Sequence, residues 1–320
     1  MVQSVGDGNR IDCSGVSGDC NGGRMVSVRL SDKVTRWAPI VFSSLCVLAF
    51  GTGCAAELRP TSRSSNVEVV GSSLRLPDRN SGFDYQLGGS YTPPPGASVV
   101  VRDHTAHPAG VGYDICYVNG FQTQPMQSRA FASAHPDLVI HADGAPVVDE
   151  GWPDEYILDT STEPKRAAIA AIAQPWIEGC KAAGYSGVEV DNVDSYTRSG
   201  GLLSVDDNLA MASRYVQIAH QAGLAIAQKN IAEQAQRLRR MGYDFAVVES
   251  CVVHRECGDY SAHYPVVLDI EYVDELRVDG FTAACRSADR PAAMIMRDHN
   301  LLTPSDGGYF YRDCAATGAR

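Results

Sequence analysis

Acids, amides and bases stand at the ends of several apolar segments of this 320-residue sequence. The stretch Gly187-Val-Glu-Val-Asp-Asn-Val-Asp194 starts as a short apolar strand and ends in carboxylates and an amide. Successive strand residues face opposite ways, so Val188 and Val190 share one face while Glu189 and Asp191 share the other. Two acids on one face of a buried strand cost free energy unless they are paired or used. Asp and Asn also favour turns, so the stretch alone reads equally well as a strand ending in an Asp-Asn turn. The recurrence of the same design favours chemistry. In order, the polar tips are Gln86, Asp103, Tyr117 with Asn119, Asp191 with Asn192, Lys229 with Asn230, Glu249, Glu271 and Arg297. Such a ring suits a polyhydroxylated ligand. Asp191 and Glu249 are the natural pair for cleaving a glycosidic bond, one carboxyl group protonating the leaving oxygen while the other attacks or activates water. The bland alternative is that either acid simply pairs with Lys229 or Arg297.

These tips need elements to bring them together. Eight short apolar segments read as strands: Phe83–Leu87, Ser98–Asp103, Tyr113–Asn119, the stretch from Gly187, Leu224–Asn230, Phe245–Glu249, Pro265–Tyr272 and Ala292–Arg297. Helical patterns alternate with them in the second half. Thr162-Glu-Pro164 starts a helix carrying Ile169, Ile172, Trp176 and Ile177, with Pro175 expected to kink or split it. Ser204-Val-Asp-Asp207 reads as a capping box, and Asn230 with Glu233 as the cap of a helix running through Arg240. A further helix is expected near residues 275–288. Residues 81–320 match the ~250 residues of an eight-stranded barrel, whose active site lies at the C-terminal ends of the strands. The expected fold is therefore α/β, a single (β/α)8 TIM-type barrel. A doubly wound sheet is the runner-up, but no Gly-rich phosphate loop follows an early strand.

The rest of the chain bounds the reading. Hydrophobic residues make up 44% and charged residues 20%, an ordinary globular balance. The formal charge of −11 argues against a nucleic-acid partner and for a neutral or cationic substrate. Arg29, Lys33 and Arg36 precede an apolar run from Ala38 to Phe50, too short to span a bilayer but right for a signal-peptide core. Residues 1–54 read as an export signal with its true start at Met25, and Gly51-Thr-Gly-Cys54 resembles a lipobox that would lipidate Cys54; ordinary cleavage and release is the alternative. A Ser-, Arg- and Pro-rich flexible linker follows over 55–80. The expected location is extracellular or anchored to the cell envelope, with membrane contact only through a lipid. Six cysteines remain beyond the signal, an even number that favours disulfides in an exported domain. Cys251 and Cys257 are close enough to close a short loop, leaving Cys285 with Cys314 and Cys116 with Cys180. Cys251-x-x-His254-x-x-Cys257 has metal-like spacing, but export favours the disulfide. No metal and no cofactor are expected, and the chain is expected to be a monomer.

Several blocks resemble glycoside hydrolase family 114, the endo-α-1,4-polygalactosaminidase family. They are Phe83-Asp-Tyr-Gln-Leu-Gly-Gly89, Tyr113-Asp-Ile-Cys-Tyr-Val-Asn119 with Phe121-Gln-Thr-Gln-Pro125, Trp152-Pro-Asp-Glu-Tyr-Ile-Leu-Asp159, Val188 to Tyr196, Gly223 to Asn230, Tyr243 to Cys251 with Glu256-Cys257, and Ile270-Glu-Tyr272. They run in matching order from about residue 83 to the C-terminus. The resemblance implies a β/α-barrel that cleaves α-1,4-linked galactosamine, a polymer that is cationic where its amines are free. It carries the catalytic pair onto Asp191, as nucleophile, and Glu249, as acid/base, in a retaining and endo-acting mechanism. Tyr85, Gln86, Asp103, Tyr117, Asn192, Lys229, Asn230, Glu271 and Arg297 are the expected substrate contacts. Two positions depart from the pattern: Ser250 stands where many relatives have a second acid, and Tyr85 where many have Trp. The alternatives are a non-catalytic carbohydrate-binding barrel and an exo-acting α-galactosidase-like enzyme.

Overall fold

The computed structural model of the protein describes residues 74–315. The expected export signal, Cys54 and most of the expected linker lie outside the described residues. The strands are β1 (Gly82–Gln86), β2 (Ala97–Asp103), β3 (Tyr113–Asn119), β4 (His141–Ala142), β5 (Ala145–Pro146), β6 (Gly187–Asp191), β7 (Ala225–Lys229), β8 (Phe245–Glu249), β9 (Val267–Tyr272), β10 (Ala293–Arg297) and β11 (Tyr311–Asp313). The helices are α1 (Ser128–Ala134), α2 (Glu163–Ala183), α3 (Val205–Gln221), α4 (Ala235–Met241), α5 (Cys251–His254), α6 (Cys257–Ser261) and α7 (Arg277–Ala284).

Eight strands pair in parallel in the order β1-β2-β3-β6-β7-β8-β9-β10, and β11 adds antiparallel to β10. β4 and β5 form a separate small hairpin. Each strand obeys the two-residue period. On β6 Val188 and Val190 face outward, packing with Ile177 of α2 and Tyr215 of α3, while Glu189 and Asp191 face the barrel interior. The lower interior is filled by apolar residues such as Phe83, Val101, Ile115, Phe245, Ile270 and Ile295. That packing leaves the polar residues one step further along at the C-terminal ends, as a β/α barrel requires.

The two ends of the parallel sheet are joined by side chains. Arg297 at the tip of β10 is fully buried and forms an ion pair with buried Asp84 of β1 at 3.1 Å. Its guanidinium also donates to the backbone oxygens of Tyr85, Phe310 (3.0 Å) and Leu302 (2.9 Å). The Tyr311 hydroxyl donates to the Phe83 carbonyl at 2.9 Å, so β11 also reaches across to β1.

The helices follow their sequence signals with two differences. Ser204 and Asp207 form the reciprocal capping box of α3. α2 begins after Thr162 and ends at left-handed Gly184, but it runs unbroken through Pro175. Its buried face of Ile169, Ala173, Ile177 and Cys180 offsets the one backbone bond that the proline removes. Asn230 does not cap α4, which starts at Ala235 after a short 3-10 turn; its side chain is engaged elsewhere. The last residues of the expected linker dock onto the domain: Leu74 and Leu76 pack against the barrel core, and Arg75 lies over the Tyr113 ring and donates to the Gly112 carbonyl at 2.8 Å. Disulfides join Cys116 to Cys180, Cys251 to Cys257 and Cys285 to Cys314, the three pairs set out above.

Removing one partner of a buried ion pair leaves the other charge uncompensated and costs roughly 3–5 kcal/mol. Arg297→Met should therefore lower the unfolding free energy in urea by an amount on that order. A loss below about 1 kcal/mol would show that the seam does not depend on this residue.

Candidate active site

Three adjacent strands end in the same way. β6, β7 and β8 finish on inward-facing Asp191, Lys229 and Glu249, and the next residue in each case has a positive φ: Asn192 (67°), Asn230 (49°) and Ser250 (56°). A left-handed residue turns the backbone away and leaves the preceding side chain pointing into the mouth of the barrel. Asn tolerates this conformation because its short polar side chain bonds locally. Non-glycine residues held there store strain that clusters at functional sites.

Lys229 is the hub of the resulting site. Its ammonium lies 3.1 Å from Asp191 Oδ2, 3.2 Å from Glu249 Oε2 and 3.5 Å from Glu189 Oε1. It also bonds the Tyr85 hydroxyl at 3.3 Å and stands over the Tyr85 and Tyr117 rings. Asp191 accepts from the Tyr117 hydroxyl (2.7 Å) and from the Asn192 backbone N–H (2.6 Å). Glu249 accepts from the Tyr272 hydroxyl (2.5 Å) and Asn230 Nδ2 (3.1 Å), while its own N–H donates to Asn230 Oδ1 (2.9 Å). Burial works to raise the Glu249 carboxyl, but the Lys229 charge and the bonds from Tyr272 and Asn230 outweigh it, and Glu249 titrates below the ordinary range. Glu189, one layer deeper, accepts from the Tyr85 hydroxyl at 2.7 Å. Burial pushes it up to about 7, against the pull of Lys229 and with a push from Asp191.

A fourth carboxyl group arrives from outside the strands. Glu155 lies in the long excursion between β3 and α2 and accepts a 2.6 Å bond from Asn119 Nδ2. Asn119 is paired in register with Asp191, and its Oδ1 receives Asn192 Nδ2 at 2.9 Å. The excursion is pinned through buried Asp149, which accepts from Gln122 (2.6 Å) and Arg198 (2.6 Å). Arg198 continues to Asp194 and Asn192.

The structure sorts the expected contacts. Tyr85, Tyr117, Asp191, Asn192, Lys229, Asn230 and Glu249 come together. Four others are occupied elsewhere. Arg297 is sealed in the seam. Gln86 faces away from the interior, accepting from Arg102 (2.9 Å) and donating to Asp84 (2.7 Å). Asp103 closes its own turn by accepting from the Thr105 N–H and hydroxyl. Glu271 lies on the outer face of β9, where it accepts from the Val252 N–H at 2.7 Å beside buried Asp269. The inward residue of that strand end is its neighbour Tyr272, which was not among the expected contacts. The same two-residue count from Leu268 and Ile270 would have found it. Glu155 carried no strand signal at all. Ser250 donates to Glu275. Cys251, Cys257 and Asp269 approach within 4.8 Å of one another, but the two sulfurs are bonded to each other and do not offer thiolates.

The model of glycoside-hydrolase family GH114 matches residues 64–317. The chain belongs to glycoside-hydrolase family GH114. It is a glycosidase of α/β-barrel fold. Solved structures support the fold: Aspergillus fumigatus Ega3 in complex with galactosamine is 20% identical, with a TM-score of 0.59, over 74% of this chain and 96% of that one. The glycoside hydrolase domain of Pseudomonas aeruginosa PelA is 17% identical, with a TM-score of 0.50, over 70% and 96%. No curated protein sequence matches the chain.

Because Glu189 has a folded-state pKa of about 7 and an ordinary carboxyl value when unfolded, the folded protein binds the extra proton between those limits. Its stabilising share is fully present below the unfolded value and is lost as pH rises through about 7. Glu189→Gln should therefore make urea stability fall less steeply from pH 4.5 to 7.5 than in the native protein. An unchanged slope would show that Glu189 does not carry that proton.

Proposed function

We propose that this GH114 enzyme cleaves α-1,4-linked galactosamine-containing polysaccharide, acting within the chain and with retention of configuration. The observation that carries the substrate reading is the imbalance of charge at the barrel mouth: Glu189, Asp191 and Glu249 gather around one ammonium, Lys229, and a further carboxyl group, Glu155, is held nearby on Asn119. An anionic pocket attracts a polymer with free amines. The galactosamine bound in the Ega3 structure is consistent with that choice.

In this reading Asp191 is the nucleophile. Lys229, Tyr117 and the Asn192 N–H hold its oxygens, so the carboxylate is oriented before substrate arrives. Glu249 protonates the leaving oxygen and then, as a base, activates the water that releases the sugar. Its lowered pKa suits the second half-reaction. In the first half the proton must be loaded onto Glu249, so activity should decline as pH rises above that lowered value. Retention is supported by the shared lysine. It draws one oxygen of each carboxylate to a common Nζ, at 3.1 Å and 3.2 Å, in keeping with the closer carboxyl spacing of retaining enzymes.

We further infer export, because three disulfides suit an oxidising compartment and a leader-like segment precedes the domain. Lipidation at Cys54 and a monomeric state complete the reading.

Asp191→Asn and Glu249→Gln should each reduce hydrolysis of de-N-acetylated α-1,4-galactosamine polymer by at least about a thousandfold, with circular dichroism unchanged. Full turnover in either variant overturns the assignment. The first anomer seen by proton NMR should be α, and β would show inversion. Product lengths from defined oligosaccharides separate internal cleavage from release of end sugars.

A further inference from the structure

Glu155 is only 6% exposed, yet it faces another acid and has no cation of its own. The sole side chain in hydrogen-bond contact with it among the described residues is the neutral amide of Asn119. The neighbouring guanidinium, Arg198, is committed to Asp149, Asp194 and Asn192. The Lys229 ammonium is shared by Asp191, Glu249 and Glu189. Asn119, which holds Glu155, is the register partner of Asp191, so this carboxyl group sits over the wall that presents the proposed nucleophile. Burying a carboxylate beside a like charge without a counter-ion is unfavourable. Here burial, with Asp191 and Asp149 adding to it and Asn119 and Arg198 opposing it, pushes the group up to about 7.

A sequence that wanted only to brace Asn119 could use an amide at this position. Gln122, elsewhere in the same excursion, plays such a bracing role, donating to Asp149. A carboxyl group instead offers a charge that becomes favourable once a cation enters. We propose that Glu155 is the specificity-determining residue that receives the ammonium group of an amino sugar at the subsite beside Asp191, so that a free-amine substrate supplies the missing cation and an N-acetylated one does not. This rests on the galactosamine reading above. Galactosamine units carry one such amine each, on the carbon next to the reacting centre, and Glu155 lies near enough to Asp191 for that charge to act on it. The turn carrying Glu155 is itself fixed: the Asp149 N–H donates to the Glu155 carbonyl, and the Glu155 N–H donates to the Trp152 carbonyl. The carboxyl group is therefore in place before the ligand binds, which limits the ordering cost of recognition.

The test uses Glu155→Gln, which keeps an oxygen to accept from Asn119. Binding of free-amine and N-acetylated α-1,4-galactosamine oligomers is measured by calorimetry in the Glu249→Gln background, with and without the second change. In the otherwise native enzyme, kcat/KM is compared on the same two oligomers. The free-amine oligomer should lose at least about tenfold more than the acetylated one in both assays, with the kinetic loss mainly in KM. Equal loss on both substrates, or no loss on either, overturns the inference. Failure of the Glu249→Gln protein to bind the free-amine oligomer overturns it as well. Binding with the expected selectivity but no turnover by the native enzyme supports this inference and rejects hydrolysis, so the two readings fail separately.

Discussion

One ammonium group organises the mouth of this barrel. Lys229 Nζ is buried among Asp191, Glu249 and Glu189, and without it three carboxyl groups would face one another in a low-dielectric cavity. Burial alone would protonate them. With the lysine in place the deeper acid still holds its proton to about 7, while Glu249 is drawn the other way. Environments that push neighbouring acids apart are how one pocket holds both proton-bearing and proton-free groups at one pH. The tyrosines that touch these acids, Tyr85, Tyr117 and Tyr272, are held as neutral donors, since burial first and the adjacent carboxylates second raise all three hydroxyls well above their ordinary value.

The scaffold's part is to hold that cluster still. The interior below it is apolar, and a buried Arg297–Asp84 pair bridges the sheet where no ladder pairing joins β10 to β1 among the described residues. The antiparallel strand β11 covers the outer edge of β10, an edge that would otherwise be free to pair with another chain.

Much of this was legible in the sequence because a strand's period is short and strict. Eight apolar segments of the right length gave the parallel strands, and counting by twos from Val188 and Val190 put Glu189 and Asp191 on the inner face. Where the count was replaced by the choice of the last polar residue, it failed: Gln86 and Glu271 are polar and near a tip, but each is one step out of phase with its strand's inward residues. Arg297 is in phase but closes the seam instead of reaching the mouth, because Asp84 and three backbone carbonyls surround it. That depends on which strands meet in space, which no local pattern encodes. Glu155 was illegible for a related reason. It belongs to an irregular excursion whose position is set by Asn119, Asp149 and Arg198, residues widely spaced along the chain. The family blocks brought its segment into view without assigning it a task.

Among the described residues, the excursion between β3 and α2 is a long stretch of chain that the barrel strands do not order. Cys116, on β3, is bonded to Cys180, on α2, across a separation of 64 residues. The excursion is therefore a closed ring. A ring of this size has already surrendered much of the wandering that an open chain would lose on folding, and the saving grows with the logarithm of its length. The covalent bond lies on the outer side of β3, facing away from the sugar-binding mouth. It tethers the segment that crosses that mouth without occupying any of the space that substrate needs.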